Sequence, residues 1–251
     1  MNKEWSSSLF TAGKNHDHCE QLSFSSFPLP NEEAPGASRS RTRRNVGEPG
    51  TYWPQNSTIK IALYGYDMNG PWVQAVKNAA NQWLPYINLK FEFVSGEEGD
   101  VRISYRPLSQ PAGSDLGTNA RHTPPVEPTM HLPADPTDPD FEKTVIHEFG
   151  HMLGAHHAHQ HPDSNIPWNV PQTYAYYGRL GMSEESVRSN ILPLPRSDAY
   201  SLLPYDGDSI MHYHIDPEVT DGSWAQSESY SLSEGDKAWA RNAYPRTGQA
   251  E

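Results

Sequence analysis

The sequence is poor in cysteine, in long apolar runs and in positive charge. Its single cysteine, Cys19, excludes a scaffold held together by intrachain disulfide bonds. No apolar run approaches the roughly 20 residues that a helix needs to cross a bilayer, so we expect no transmembrane helix. The formal net charge of −12 argues against a nucleic-acid partner and against electrostatic docking on a membrane, because both favour a basic face.

The N-terminus also lacks the pattern of a secretion signal, which needs an apolar stretch of about 7–15 residues. We therefore expect a cytoplasmic protein by default and leave secretion by another route open. The 251 residues are enough for one sizeable core or two small lobes. We expect a monomer.

Residues 1–50 differ in composition from the rest of the chain. They are rich in serine, asparagine, glycine and charge and lack apolar periodicity, which indicates a flexible leader or propeptide. The basic run Arg39–Arg44 is either a solvated patch or a processing site for a protease that cleaves after basic residues. Cleavage there would release a chain that starts near Asn45 and carries a catalytic domain at residues 51–247.

Apolar patterning predicts the elements that follow the leader. Period-two alternation is typical of strands, and spacings of three and four are typical of amphipathic helices. The pattern predicts a strand at residues 58–64, a helix at 72–84, and strands at 89–94, 101–105 and 129–132. A long loop at residues 110–128 precedes the last strand.

A second long helix is predicted at residues 141–153, because acidic residues mark its start and Gly154 marks its end. Beyond it the chain is polar and rich in loops. Short helices are predicted near residues 171–180 and 183–192, and a last helix begins at its N-cap Ser233.

The segment HEFGHMLGAHH, from His147 to His157, carries the chemistry. His147 and His151 are four residues apart, so on a helix both imidazoles can bind one ion at about 2.0–2.1 Å. Glu148 is rotated by about 100° from His147, and it can hold a metal-bound water without joining the coordination shell. Gly154 allows the left-handed turn that brings His157 to the metal. Three imidazoles and a water are typical of a catalytic zinc site.

The alternatives are incidental surface histidines or a purely structural zinc. The five fixed positions would coincide by chance on the order of once in 10⁴ chains of this composition. A structural zinc would leave Glu148 as a buried charge without a function. Among the neighbouring histidines, His156 is offset by one residue and should point away from the metal. His159 and His161 are expected at the surface or in a substrate cleft.

The segment from His147 to His157 matches the HExxHxxGxxH motif of the metzincin peptidases. Further on, residues 209–213 (SIMHY) resemble the Met-turn of that clan in its astacin-like form, and residues 166–168 and 232–237 resemble bacterial and fungal astacin-like peptidases. The resemblance covers residues 52–245.

This resemblance implies an α+β fold with a cleft between two lobes. The upper lobe, residues 51–157, would hold a twisted, mostly mixed sheet of four or five strands and two long helices. The lower lobe, residues 158–247, would be irregular and end in a helix. The strand near residues 129–132 would be the cleft edge that pairs with an extended peptide.

The resemblance also implies roles for two residues of the Met-turn. Met211 would form an apolar floor beneath the three histidines, and Tyr213 would ligate zinc or stabilise the oxyanion. Without the resemblance, Met211 would be an ordinary core methionine and Tyr213 an ordinary amphipathic tyrosine. Astacins usually carry a glutamate directly after the third histidine, where it anchors the matured N-terminus, and this chain has Ala158 there.

The resulting hypothesis is a zinc-dependent metalloendopeptidase that acts on peptides or proteins with one Zn²⁺ and a zinc-bound water activated by Glu148. The alternatives are a latent zymogen, in which Cys19 caps the zinc, and a catalytically silent binding protein with a zinc-bearing cleft. A zinc hydrolase that acts on a non-peptide substrate is a further alternative.

Overall fold

The computed structural model describes residues 18–21, 45–105, 111–220, 222 and 224–246. Within these ranges it confirms an α+β fold with a mixed sheet. None of the described helices combines the length and the apolar character that crossing a bilayer requires. The predicted processing run Arg39–Arg44 lies outside the described residues.

The described residues contain eight strands in two sheets: β1 (His18–Gln21), β2 (Val46–Gly47), β3 (Thr58–Leu63), β4 (Lys90–Ser95), β5 (Val101–Tyr105), β6 (Ala112–Asp115), β7 (Met130–Leu132) and β8 (Ser201–Leu202). The main sheet has the order β1-β6-β7-β5-β3-β4, and β2 pairs with β8 in a second small sheet. Strands β3, β4, β5 and β7 are parallel, whereas β6 runs antiparallel to β7 and β1 runs antiparallel to β6.

The same part of the chain contains five α-helices: α1 (Pro71–Ala80), α2 (Phe141–Met152), α3 (Val170–Arg179), α4 (Glu184–Asn190) and α5 (Glu234–Ala243). All five were predicted, with small shifts at their ends. The first helix is shorter than expected because the chain tightens into a 3-10 helix at Asn81–Tyr86. Pro85 lies inside that segment and has no N–H to continue an α-helical ladder.

The hydrophobic core divides into two clusters. In the upper lobe, α1 packs against α2, and α2 lies against β6 and β7. Alternate residues of β3 point into this core, namely Ile59, Ile61 and Leu63. The smaller second cluster lies in the lower lobe and includes Tyr177, Val187 and Tyr213. The Met-turn joins the two, since Met211 belongs to the upper cluster and Tyr213 to the lower one.

The cleft edge of the sheet is not where the sequence placed it. The prediction that residues 129–132 form the edge is wrong, because β7 is paired on both sides, with β5 and with β6. Strand β6 was predicted as part of a loop, since its sequence AGSD has no apolar alternation. Backbone pairing with β7 makes it a strand, and β1 pairs with its other edge.

The packed part of the chain begins ahead of the predicted boundary at residue 51. Asn45 and Val46 are both fully buried. The backbone N–H of His156 donates to the Val46 carbonyl oxygen at 2.9 Å, and Glu48 N–H donates to the Gly154 carbonyl oxygen at 3.0 Å. The last residues of the predicted leader are therefore hydrogen-bonded to the backbone of the histidine motif.

Candidate active site

Three imidazoles converge at the C-terminal end of α2. His147 and His151 project from the helix, and His157 comes from the turn after it. The Nε2 atoms of His147 and His151 are 3.0 Å apart, and those of His151 and His157 are 3.2 Å apart. All three side chains are buried and form the only cluster of potential metal ligands found among the described residues.

The other ring nitrogens determine which tautomers are present. His147 Nδ1 lies 2.8 Å from the Ile210 carbonyl oxygen, and His151 Nδ1 lies 2.7 Å from the Ala155 carbonyl oxygen. A carbonyl oxygen only accepts, so each Nδ1 carries the proton and each Nε2 presents a lone pair. Converging lone pairs repel one another unless a cation lies between them.

The geometry and the charge state both fit zinc. Tetrahedral Zn²⁺ with Zn–N bonds of about 2.0–2.1 Å places its nitrogen ligands roughly 3.3 Å apart, close to the observed separations. Burial lowers the pKa of His147 to about 4. Burial also lowers the pKa of His151 and of His157 well below the usual value. The imidazoles are therefore neutral near pH 7, which is the form that binds a metal.

Gly154 makes the turn that returns His157 to the site. Its φ of +94° lies in the left-handed region, and an added Cβ would meet Tyr52 Cδ1 at 2.7 Å. Both the backbone conformation and the close approach of Tyr52 therefore require glycine at this point.

The Glu148 carboxylate is fully buried, and neither oxygen has a hydrogen-bond partner in the part of the chain that the structure describes. Burial raises the pKa of Glu148 well above its usual range. An unpaired buried carboxylate is costly and is retained where it serves a function. This carboxylate is next to His147 in the chain.

Met211 packs against helix α2. A Cβ added to Gly150, between the two helical histidines, would lie only 2.3 Å from Met211 Sδ. The Met211 carbonyl oxygen accepts a hydrogen bond of 2.9 Å from the Ala158 N–H. Met211 thus packs against the helix side of the site and is bonded to the turn that carries His157.

The ring of Tyr213 lies against two of the three imidazoles. Its centroid is 4.0 Å from the His157 ring and 5.8 Å from the His147 ring. The side chain is buried. The structure therefore places Met211 and Tyr213 against the elements that carry the three imidazoles.

The neighbouring histidines divide into two groups. His156 turns away from the cluster, and its Nε2 lies 2.7 Å from Glu48 Oε2. His159 and His161 are buried, so the expectation of a surface or cleft position is wrong. The 3-10 helix at Ala158–Gln160 packs into the lower lobe and turns His159 inwards, where its ring stacks on that of His157 at 5.1 Å.

Sequence reasoning missed Asp236 as a support of the site. Its carboxylate accepts hydrogen bonds from Ser209 Oγ at 2.6 Å and from the Ile210 N–H at 2.9 Å, and it also bonds the Asn45 side chain. In the sequence, Asp236 is simply the third residue after the predicted N-cap Ser233. The capping box with Ser233 is present, but no local pattern shows that the same carboxylate reaches the Met-turn.

Comparison with known proteins identifies the family. The sequence model of the Matrixin family matches residues 52–173. A solved structure of myroilysin is 35% identical, with a TM-score of 0.72, and the match covers 80% of this chain and 99% of that one. A second myroilysin crystal structure is 36% identical, with a TM-score of 0.58, and the match covers 78% of this chain and 86% of that one.

A more distant likeness concerns the fold alone. High choriolytic enzyme 1, a hatching enzyme zinc-protease from Oryzias latipes (Medaka fish), is 15% identical with a TM-score of 0.53, and the match covers 77% of this chain and 94% of that one. No curated protein sequence matches the chain significantly. The astacin-like subtype stays a prediction. With the convergent histidines, these matches show that the chain belongs to the metzincin zinc metallopeptidases and is a metalloendopeptidase.

Proposed function

We propose that this metalloendopeptidase hydrolyses peptide bonds by direct attack of water, without a covalent intermediate. His147, His151 and His157 hold one Zn²⁺, Glu148 is the general base and acid, and Tyr213 stabilises the developing oxyanion. The observation that carries the proposal is the buried carboxylate of Glu148, which follows a converging metal ligand in the chain and has no hydrogen-bond partner among the described residues.

Each residue has one step in the reaction. A zinc ion held by the three histidines would supply Lewis acidity and lower the pKa of water toward ~7. Glu148 accepts a proton from the attacking water as the new C–O bond forms at the scissile carbonyl. It then passes that proton to the leaving amine nitrogen as the C–N bond breaks. The Tyr213 hydroxyl donates a hydrogen bond to the carbonyl oxygen as negative charge develops on it.

The substrate is an extended peptide that adds a strand to β6. Strand β6 lies between β7 and the edge strand β1, which comes from the predicted leader, and α2 packs next to β6. Strand β1 already pairs antiparallel with β6, which supports a strand-adding edge at this position.

The proposal is tested with Glu148→Ala and Glu148→Gln. Both variants should lose about 10²- to 10⁴-fold in kcat on casein or a peptide library while binding one zinc per chain, because the carboxylate moves protons and does not hold the metal. The matched control is Glu142→Ala on the same helix, where the side chain is exposed and bonds Gln82. If the Glu148 variants cleaved at the wild-type rate, the scheme would be wrong.

We further propose that the intact chain is latent. Strand β1 occupies the edge of β6 that a substrate would use, in a register that places Cys19 opposite Ser114. Cleavage after Arg44 would separate β1 from the catalytic domain. The intact and cleaved forms should differ in activity, and equal activity would contradict latency. Cys19→Ser distinguishes two causes: activity without cleavage indicates a thiolate on zinc, whereas continued latency indicates blockage by strand pairing.

A further inference from the structure

Both backbone polar groups of Tyr213 form hydrogen bonds with imidazoles. Its N–H donates to His159 Nδ1 at 3.4 Å, and its carbonyl oxygen accepts from His212 Nδ1 at 2.6 Å. Both histidines are buried, with 0% and 2% of their surface exposed, respectively. The proposed reaction assigns no role to these two buried imidazoles, although both form hydrogen bonds with the backbone of Tyr213.

The hydrogen-bond partners determine the tautomer of each ring. His212 Nδ1 faces a carbonyl oxygen and so carries the proton, which leaves its Nε2 to accept from the Tyr205 hydroxyl at 2.8 Å. His159 Nε2 lies 3.0 Å from the Asn190 carbonyl oxygen and so carries the proton, which leaves its Nδ1 to accept from Tyr213. A continuous chain of hydrogen bonds therefore passes through the Tyr213 backbone.

Ring contacts reinforce this arrangement. The His159 ring stacks on the Tyr213 ring, with centroids 4.7 Å apart and planes 27° apart. The same ring stacks on that of His157, with centroids 5.1 Å apart and planes 23° apart. His159 thus packs simultaneously against a metal-site histidine and against the tyrosine beside it.

We propose that His159 and His212 are positioning residues that hold Tyr213 against His157 in the geometry needed to stabilise the transition state. The inference rests on the proposed function of Tyr213. Neither histidine belongs to the metal-ligand cluster, so both act through Tyr213.

The expected effect follows from how a tyrosine is placed. Its two side-chain torsions can be fixed by packing, but the hydroxyl position also depends on the backbone from which the side chain starts. A misplacement of about 1 Å at a catalytic group can cost on the order of 10²-fold in rate. Loss of one of the two hydrogen bonds to the Tyr213 backbone should shift the side chain by less than about 1 Å, so we expect kcat to fall about tenfold.

Matched substitutions separate hydrogen bonding from packing. In His212→Asn, the amide nitrogen can take the place of Nδ1 and still donate to the Tyr213 carbonyl, whereas His212→Leu has a similar size and no donor. In His159→Asn, the amide oxygen can take the place of Nδ1 and still accept from the Tyr213 N–H, whereas His159→Leu cannot. Both Leu variants should lower kcat about tenfold with KM changed less than about twofold, and both Asn variants should retain most of the activity.

The background variant Tyr213→Phe completes the experiment. If the histidines act through the Tyr213 hydroxyl, the Leu substitutions should lower kcat no further once that hydroxyl is gone. Zinc content by mass spectrometry and thermal unfolding are measured on every variant, and we expect one zinc per chain throughout.

The outcomes are distinguishable. If Tyr213→Phe leaves kcat unchanged, the proposed role of Tyr213 fails, and this inference fails with it. The positioning role is overturned, and the proposed function stands, if Tyr213→Phe lowers kcat but the His→Leu substitutions lower it further by the same factor in that background. The same conclusion holds if the His→Asn variants are no more active than the His→Leu variants. Loss of zinc in both Leu variants would also overturn the positioning role. If one histidine tolerates no substitution in folding, the pair at the other histidine decides.

Discussion

The carboxylate of Asp236 accepts a hydrogen bond of 2.9 Å from the backbone nitrogen of Ile210, which ties the last helix to the Met-turn. The carbonyl oxygen of Ile210 in turn lies 2.8 Å from His147 Nδ1. A residue near the end of the chain is thus two hydrogen bonds away from the first metal-site histidine, and the arrangement of the site depends on how the two lobes are joined.

The substitution Asp236→Asn should therefore weaken the fold as well as the site. It replaces one buried acceptor oxygen by a donor that faces other donors, and we expect the free energy of unfolding to fall by about 2–4 kcal/mol. Urea denaturation measures the change. The control is Glu234→Gln on the same helix, whose exposed side chain pairs only with Lys237 and whose loss should leave the unfolding midpoint nearly unchanged. Equal effects of the two substitutions would show that the Asp236 network contributes nothing.

The substitution Gly150→Ala should also destabilise the protein. The new Cβ would lie 2.3 Å from Met211 Sδ, so helix α2 or the Met-turn must shift, at a cost of about 1–3 kcal/mol. Gly178→Ala is the matched control, because it lies in α3 with no atom within 4 Å of an added Cβ. That change should stabilise the helix by up to about 1 kcal/mol. Two thermal melts that shift in the same direction would contradict the prediction.

The adjacent histidines His156 and His157 provide a direct test of the ligand set. The substitution His157→Ala should weaken zinc binding at least about 100-fold, because it removes one of three protein ligands. His156→Ala should leave zinc binding unchanged, because that side chain bonds Glu48 instead. Competition with a chelator measures both affinities, and a reversal of the two results would mean that the assigned third ligand is wrong.

The stability of the metal-free protein should depend strongly on pH. Burial lowers the pKa of six histidines below the usual 6.5, namely His147, His151, His157, His159, His161 and His212. For His147 and His212 the pKa falls to about 4. The unfolded chain therefore binds more protons than the folded chain between these values. The unfolding free energy should fall as the pH decreases from ~6.5 to ~4, because the six histidines that gain protons on unfolding outnumber the buried Glu148 carboxyl that loses one. Chemical denaturation in the presence of a chelator, repeated across this range, measures it, and a flat profile would contradict the prediction.

Activity should follow the same direction. Protons compete with zinc for the imidazoles, and burial lowers the pKa of His147 to about 4, so hydrolysis should be lost as the pH falls toward about 4. A pH–rate profile on a peptide substrate tests this, and an optimum near pH 4 would be incompatible with a three-histidine site.

The metal site was predictable because its spacing is local. Residues at positions i and i+4 of a helix share a face whatever the rest of the chain does, and a glycine after the last turn allows the chain to reverse. The spacing of His147 and His151 therefore predicted that both face one metal ion. The structure places His157, and not His156, beside these two histidines. The helices were predictable for the same reason, since their apolar periodicity and capping residues act within a few positions.

The features that were not predictable depend on distant partners. AGSD carries no strand pattern, yet it becomes β6 because β7 offers unpaired backbone groups beside it. His159 resembles a surface residue in sequence, yet the 3-10 helix after the motif turns it into the lower-lobe core.

The sequence by itself thus determined the zinc-binding helix, its candidate ligands and the class of chemistry, because all three follow from short-range spacing. Only the tertiary structure decided that residues 112–115 form a strand beside β7, that Asp236 bonds the Met-turn and that His159 and His212 bond Tyr213. Those contacts join residues that lie far apart in the chain or depend on the packing of the two lobes, and no local pattern encodes them.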